Sequence, residues 1–183
     1  MRCLELFRPD QYVSALERVD LDELADMGIR GLLVDRDRTL TAWRSRQLSP
    51  EKCEWMAAAR ERFSVCIVSN TIFRRGVQAL AQELGVPAVC RWGLGRKPFR
   101  GAIREALRII DVQPAEAVMI GDQLSTDILG GNRQGLHTIL VRPVPGPEFF
   151  TTRVTRVFER WVAARLGLSV TANHRPLSDG TCK

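Results

Sequence analysis

Short apolar runs alternate along the chain with longer segments whose apolar positions recur at helical spacing. The apolar runs predict five buried strands, over residues 31–35, 64–70, 86–92, 117–122 and 137–141. The segments between them predict helices over 49–63, 73–85 and 99–111 and a short helix over 126–135, and one or two short helices precede the first strand within 14–28. Continuous apolar strands that alternate with helices indicate an α/β fold, with a parallel sheet covered on both faces.

The segment after the last predicted strand has a different character. Residues 141–150 contain three prolines and a glycine, which indicates a turn-rich connection, and residues 151–167 have the pattern of an amphipathic helix rich in arginine. That helix either packs its apolar face on the domain or lies on an anionic membrane with its arginines towards the headgroups. We expect a single domain over 1–167 and a flexible C-terminal tail over 168–183.

Composition narrows the class of protein. The chain has 183 residues, 45% of them hydrophobic, and a mean hydropathy of -0.11, which is ordinary for a water-soluble domain with a substantial core. The net charge of +6 and the pI of about 9.5 favour acidic partners such as phosphate compounds, nucleic acid or an anionic membrane surface. Five cysteines in no disulfide or metal-ligand spacing predict a reducing compartment. With neither a signal peptide nor a membrane span in the sequence, we expect a cytoplasmic protein, and peripheral contact with the inner face of the membrane stays open.

Polar side chains follow four of the predicted strands at the point where each strand ends. These residues are Asp35, Asp37, Thr39, Ser69, Asn70, Lys97, Asp122 and Asp127. The carboxyl ends of parallel strands lie at one edge of a sheet, which is where such sheets bind ligands. Several carboxylates form a hard-oxygen site suited to Mg²⁺, and a hydroxyl and a lysine can hold phosphoryl oxygens. The set predicts a phosphoryl-transfer site in which one aspartate is a nucleophile and a second, two residues on, is the general acid and base.

Four of these segments, in this order, resemble the motifs of the haloacid dehalogenase (HAD) superfamily of phosphohydrolases. "DRDRT" at 35–39 resembles the first motif, "VSN" at 68–70 the second, "RKP" at 96–98 the third and "GDQLSTD" at 121–127 the fourth. The chain is similar in particular to the YqeG-like branch of subfamily IIIA, through "RPDQYV", "VSNT", "RKPFRGAIREAL" and most of residues 121–141. That resemblance implies a HAD-like Rossmannoid three-layer α/β/α fold with a parallel sheet and no large cap domain.

The resemblance also implies roles for individual residues. Asp35 would be the nucleophile, Asp37 the acid and base, and Lys97 the cation that neutralises the phosphoaspartate. The Mg²⁺ ion would be held by Asp35, Asp122 and the backbone of Asp37, with Asp127 in support. The predicted phosphate-binding residues are Thr39, Ser69, Asn70 and Lys97.

The resemblance further implies the substrate class. Relatives in mitochondria and plastids dephosphorylate phosphatidylglycerophosphate, so this chain would be a phosphoric monoester hydrolase acting on that lipid. A soluble sugar or nucleotide phosphate is the alternative substrate. The absence of a cap would leave the site open to a bulky, membrane-embedded substrate, and the sequence does not determine the oligomeric state.

Two arginines depart from the family pattern, and two other protein classes compete with the phosphatase. Arg36 and Arg38 stand where such phosphatases have apolar or Asn-like residues. They would hold a headgroup phosphate, point into solvent, or draw Asp35 into an ion pair. A phosphoaspartate signalling domain is disfavoured by the order of the acidic motifs along the chain. Nucleic-acid binding is disfavoured because the arginines are spread out rather than clustered in a stripe.

Overall fold

Six parallel strands form one sheet in the computed structural model of the chain, which describes residues 2–42, 45, 47–144, 162 and 164–166. The strands are β1 (Gln11–Val13), β2 (Gly31–Val34), β3 (Ser64–Ser69), β4 (Ala88–Cys90), β5 (Ala117–Gly121) and β6 (His137–Val141). Their order across the sheet is β1-β6-β5-β2-β3-β4, and every neighbouring pair is parallel. After β2 the chain builds the sheet outwards through β3 and β4, and it then returns to the other side of β2 with β5.

Helices connect the strands across both faces of the sheet. They are α1 (Arg2–Glu5), α2 (Leu21–Asp26), α3 (Pro50–Arg62), α4 (Arg74–Glu83), α5 (Arg100–Ile110) and α6 (Leu129–Asn132), with a turn of π-helix at Leu124–Ile128 before α6. Helix α3 begins as its sequence predicts, because the Ser49 side chain accepts a hydrogen bond from the Lys52 amide and Pro50 takes the first position.

Alternate strand residues face opposite sides of the sheet and build two apolar cores. On one side Leu32 and Val34 of β2 pack with α3 and α4, and on the other side Leu33 packs with α5. Because both sides are covered, β2 has no exposed face and all four of its residues are buried. The three-layer α/β/α architecture predicted from the sequence is therefore confirmed.

The structure adds one strand that the sequence pattern did not predict. β1 is only three residues long, is partly exposed, and pairs with β6 at the edge of the sheet. So short a strand contains too few apolar positions for its periodicity to be recognised. The five predicted strands and the predicted helices between 14 and 135 are all present, with ends that shift by a few residues at most.

The predictions for the C-terminal part fall mostly outside the described residues. Of the predicted helix at 151–167, only residues 162 and 164–166 are described, and the Val162 side chain is fully buried. The predicted tail at 168–183 lies wholly outside them, so the domain limits stay a prediction. Across the described ranges, no strand connection contains a second folded unit, and no helix is long and apolar enough to cross a bilayer.

Candidate active site

Three carboxylates and a lysine meet at the carboxyl edge of the sheet, beside β2, from which the chain extends the sheet first to one side and then to the other. Asp35 follows β2 directly, and Asp122 and Asp127 follow β5, the neighbouring strand. Carboxylate oxygens of these three residues lie within 4.8 Å of one another, and all three residues are buried. The amide of Asp35 donates to the Ile120 carbonyl at 2.9 Å, which ties the end of β2 to β5. The order of the strands thus places residues almost ninety positions apart beside each other.

Lys97 is the counter-ion inside this cluster. Its Nζ lies 2.6 Å from Asp35 Oδ1, 2.7 Å from an oxygen of Asp127 and 2.7 Å from the Val68 carbonyl, and its side chain is 1% exposed. Burial by itself would lower the pKa of Lys97, but the carboxylates of Asp127 and Asp35 more than offset it, so the net shift is upward. The two carboxylates therefore favour the charged form of Lys97.

Asp35 has an unusual acidity. Its pKa is raised to about 7, chiefly by burial; the positive charge of Lys97 lowers it, and the carboxylates of Asp127 and Asp37 raise it. A carboxylate nucleophile must be ionised to attack phosphorus. A cation bound beside Asp35 would favour the ionised form, since an opposite charge at close range lowers the pKa of a carboxyl group.

Asp127 occupies its place because a glycine faces it. A Cβ on Gly121 would lie 2.3 Å from Asp127 Cγ, far inside contact distance, so only glycine at 121 leaves room for the carboxylate. Asp127 also accepts a hydrogen bond from the Gln123 amide at 3.1 Å, as an acidic residue at a helix start often does. The same carboxylate thus closes the helical turn and pairs with Lys97.

Asp37 lies at the mouth of the cluster and is held by an arginine. Its side chain is 28% exposed, against 11% for Asp35, and its Oδ1 accepts from Arg36 Nη1 at 2.9 Å. Arg36 Nη2 donates to the Ser45 carbonyl at 2.9 Å, so one guanidinium connects Asp37 to the following loop. Ser69, completely buried at the end of β3, places its hydroxyl 3.5 Å from Asp37 Oδ2.

Burial overturns one of the alternatives considered for the two arginines, and an ion pair overturns a second for Arg36 alone. Arg36 and Arg38 are both buried, so neither points into solvent. Arg36 forms its ion pair with Asp37, whereas the partner of Asp35 is Lys97. In the turn after β2, Arg38 takes a positive φ of 69° and its amide donates to the Thr41 carbonyl.

The remaining predicted phosphate-binding residues lie close to this cluster but make different contacts. The Asn70 side chain accepts from the Lys97 amide at 2.8 Å and donates to the Lys97 carbonyl at 3.0 Å, so it ties the loop after β3 to the loop after β4. The Thr39 hydroxyl is buried and has no hydrogen-bond partner among the described residues. The contacts of these residues with phosphate stay predictions.

Two supporting residues were not predicted from the sequence. Arg36 positions Asp37, as described above, and buried Lys52 donates to the carbonyls of Thr39 and Leu40 in the first-motif loop. Lys52 lies on α3 and looks like an ordinary surface lysine in the sequence, so no local signal identifies it. Arg36 was noticed only as a departure from the family pattern.

The acidic cluster fits a divalent cation. When Asp35 is ionised, three carboxylates and one ammonium group leave an excess of two negative charges among these four side chains, and like charges this close repel one another. Carboxylate oxygens are the ligands that Mg²⁺ prefers, and it commonly takes only one or two of them together with waters. The donor set and the charge are therefore both appropriate for such an ion.

Comparison with known proteins shows which proteins the chain is similar to. Residues 94–143 match the sequence model of the family described as HAD-hydrolase-like. The chain is 37% identical over 163 residues to the "Probable phosphatase YqeG" of Bacillus subtilis, covering 88% of this chain and 92% of that protein. It is 29% identical over 192 residues to "Phosphatidylglycerophosphate phosphatase 1, chloroplastic/mitochondrial" of Arabidopsis thaliana, covering 94% of this chain but only 52% of that protein.

A solved structure shows the same fold at low sequence identity. A haloacid dehalogenase-like hydrolase of Streptococcus pneumoniae superposes with a TM-score of 0.50 at 14% identity, over 62% of this chain and 84% of that one. This likeness shows the fold, and the identity to YqeG along nearly the whole of both chains shows the family. The chain belongs to the HAD-like phosphatases, enzymes that hydrolyse phosphoric monoesters.

Proposed function

We propose that this phosphatase acts through a phosphoaspartate on Asp35 and that its substrate is the lipid phosphatidylglycerophosphate. The observation that carries the mechanism is the buried set of Asp35, Lys97 and Asp127 at the end of β2, with Asp37 more exposed beside it. One carboxylate is held rigidly, and the next acid two residues on is accessible to substrate and water. That division suits a nucleophile and a proton-transfer group.

In the first displacement a carboxylate oxygen of Asp35 attacks phosphorus. The bond between phosphorus and the ester oxygen breaks, its electron pair stays on the leaving oxygen, and protonated Asp37 supplies the proton that makes it an alcohol. The hydrogen bond from Lys97 Nζ to Asp35 Oδ1 orients the nucleophile. The ion pair with Arg36 does the same for Asp37.

In the second displacement water attacks the phosphorus of the phosphoaspartate. Asp37, now a carboxylate, accepts the proton of the water, and the bond between phosphorus and the Asp35 oxygen breaks with its electrons returning to the carboxylate. Inorganic phosphate leaves, and Asp37 is again protonated for the next cycle. The greater exposure of Asp37 allows it to meet both the leaving alcohol and the incoming water.

The buried polar groups around the two aspartates complete the proposed site. The hydroxyls of Thr39 and Ser69 and the ammonium of Lys97 would hold the phosphoryl oxygens, and Asn70 would keep Lys97 in place. Asp35, Asp122 and the backbone carbonyl of Asp37 would hold Mg²⁺, with Asp127 in support. When bound, the ion would stabilise the negative charge that develops on the phosphoryl group.

The lipid assignment is supported by the name of a relative and by the open site. The Arabidopsis protein is a phosphatidylglycerophosphate phosphatase, and its similarity extends along 94% of this chain. No second folded unit covers the cluster within the described ranges, so a headgroup still anchored in a bilayer would have access to it. A soluble sugar or nucleotide phosphate is the competing substrate.

The test is phosphate release from phosphatidylglycerophosphate in mixed micelles, with Mg²⁺ and with EDTA, beside a panel of soluble phosphate esters. We expect Mg²⁺-dependent release from the lipid. It should be lost in Asp35→Asn and retained in Asp111→Asn, because Asp111 is an exposed residue in the left-handed region, which asparagine tolerates well. Release from soluble esters alone would reject the lipid substrate, and full activity in Asp35→Asn would reject the mechanism.

A further inference from the structure

Exposed apolar side chains concentrate on two loops beside the active site. Ile72 and Phe73 follow β3, and Trp92, Leu94 and Phe99 follow β4, the neighbouring strand. Leu94 is 86% exposed, Trp92 67% and Phe73 62%. Large apolar side chains are seldom left this exposed in adjacent loops unless the surface binds something.

The two loops form one surface because they are joined at their base. Asn70 makes two hydrogen bonds to the backbone of Lys97, and Lys97 in turn reaches Asp35 inside the catalytic cluster. These hydrogen bonds therefore fix the position of the two loops relative to each other and to the mouth of the site. We call this surface, residues 71–75 and 91–100 with buried Lys97 excepted, the basic–apolar rim.

The rim is also strongly positive, because the fold brings together arginines that are spread out along the sequence. Five exposed arginines accompany the apolar residues, and they are Arg74, Arg75, Arg91, Arg96 and Arg100. The sequence contains no aspartate or glutamate over 62–82 or 84–104. Among the described residues, Glu105 alone pairs with one of the five, Arg91. A net charge of one sign next to exposed aromatic and aliphatic groups calls for a partner that is anionic and apolar together.

We propose that the basic–apolar rim docks the enzyme on an anionic lipid bilayer. Tryptophan, phenylalanine and leucine insert readily at the boundary between headgroups and acyl chains, and arginines bind the lipid phosphates. Because the rim borders the catalytic cluster, docking sets the mouth of the site against the headgroup layer. This inference rests on the proposed function only for the identity of the lipid substrate. Binding of the rim to an anionic bilayer does not require a phosphomonoester in that bilayer.

The test is flotation of the full-length protein with vesicles that contain no substrate. Vesicles of phosphatidylcholine with about one-third phosphatidylglycerol are compared with phosphatidylcholine alone, at low and high salt. We expect binding to the anionic vesicles, weakened by salt because the arginines contribute through charge. No binding to anionic vesicles would overturn the proposal.

Two double variants locate the binding surface. Trp92→Ser with Leu94→Ser removes apolar anchors, and Arg74→Gln with Arg75→Gln removes charge. We expect each pair to weaken binding by about tenfold or more. The control, Arg108→Gln with Ile109→Ser, changes an exposed arginine and an exposed apolar residue at the far end of α5 and should bind as the original protein does. An equal loss of vesicle binding in all three double variants, or no loss in any of them, would overturn the proposal.

Hydrolysis of a small soluble ester separates this inference from the proposed function. The rim variants should hydrolyse p-nitrophenyl phosphate as the original protein does, because none of the changed residues is part of the catalytic cluster, while their hydrolysis of vesicle-borne phosphatidylglycerophosphate falls. If no ester is hydrolysed but flotation behaves as expected, the rim proposal stands and the function is wrong. If the lipid is hydrolysed without any flotation, the rim proposal is wrong and the function stands.

Discussion

Replacing Lys97 by methionine tests whether the buried charge cluster is balanced as the structure indicates. The substitution keeps the volume and the apolar stem, but it leaves Asp35 and Asp127 facing each other without their shared cation. Removing one partner of a buried ion pair costs about 3–5 kcal/mol, chiefly because the remaining charge is left uncompensated. For a chain of 183 residues this corresponds to a fall in Tm of about 6–20 °C.

The assay is thermal unfolding followed by circular dichroism, in EDTA, at pH 7.5 and at pH 5. The loss of stability in Lys97→Met should be smaller at pH 5. Asp35 already has a pKa of about 7 with Lys97 present, and without that cation it takes up a proton still more readily, which removes the repulsion. Below pH 7, protonation of Asp35 therefore removes part of the uncompensated negative charge in the variant.

Lys52→Met is the matched control. Lys52 is also buried, but its ammonium donates to the carbonyls of Thr39 and Leu40 rather than to carboxylates. Its loss should cost about 1–2 kcal/mol with little dependence on pH between 5 and 7.5. Were Lys97→Met to cost less than Lys52→Met, or the same at both pH values, the assignment of Lys97 as counter-ion to two carboxylates would be wrong.

Three further predictions concern other parts of the cluster. Burial raises the pKa of Asp35 from its ordinary 3.8 to about 7, so between these pH values the folded state holds a proton that the unfolded state has released. In EDTA the free energy of unfolding should therefore fall as pH rises from about 4 to 7. Urea unfolding at several pH values measures this slope, which should be absent in Asp35→Asn. Gly121→Ala should displace the Asp127 carboxylate, cost about 1–3 kcal/mol and remove most phosphatase activity, measured by urea unfolding and phosphate release. Arg36→Lys keeps the charge but cannot hold Asp37 and the next loop together, so kcat on a soluble ester should fall about tenfold.

Each of the two substitutions that alter packing or contacts has a control. Gly76→Ala introduces a methyl group whose nearest neighbour is 3.9 Å away, so it should leave stability unchanged or slightly raised. Arg62→Lys alters an exposed ion pair with Asp22 and should leave kcat unchanged. Unchanged activity in Gly121→Ala or Arg36→Lys would contradict the positions given to Asp127 and Asp37.

The sequence determined the layers of the fold and most of the membership of the site. Strands such as "GLLVD" and "AVMIGD" are apolar throughout, and only a parallel sheet covered on both faces buries such segments completely. Once the strands are parallel, residues that follow them meet at one edge. Asp35, Lys97 and Asp122 could therefore be grouped before their distances were known.

Tertiary structure alone decided which of these groups contact each other. Local pattern does not encode strand order, and it is the placement of β5 beside β2 that brings Asp127 to the cluster of Asp35 and Lys97. β1 and the burial of Lys52 were likewise unpredictable, since a three-residue edge strand and a single lysine on a helix produce no periodic signal. Hydrophobic periodicity reports which side of an element is buried, whereas ion pairs and hydrogen bonds depend on long-range packing that brings distant segments to within a few ångströms.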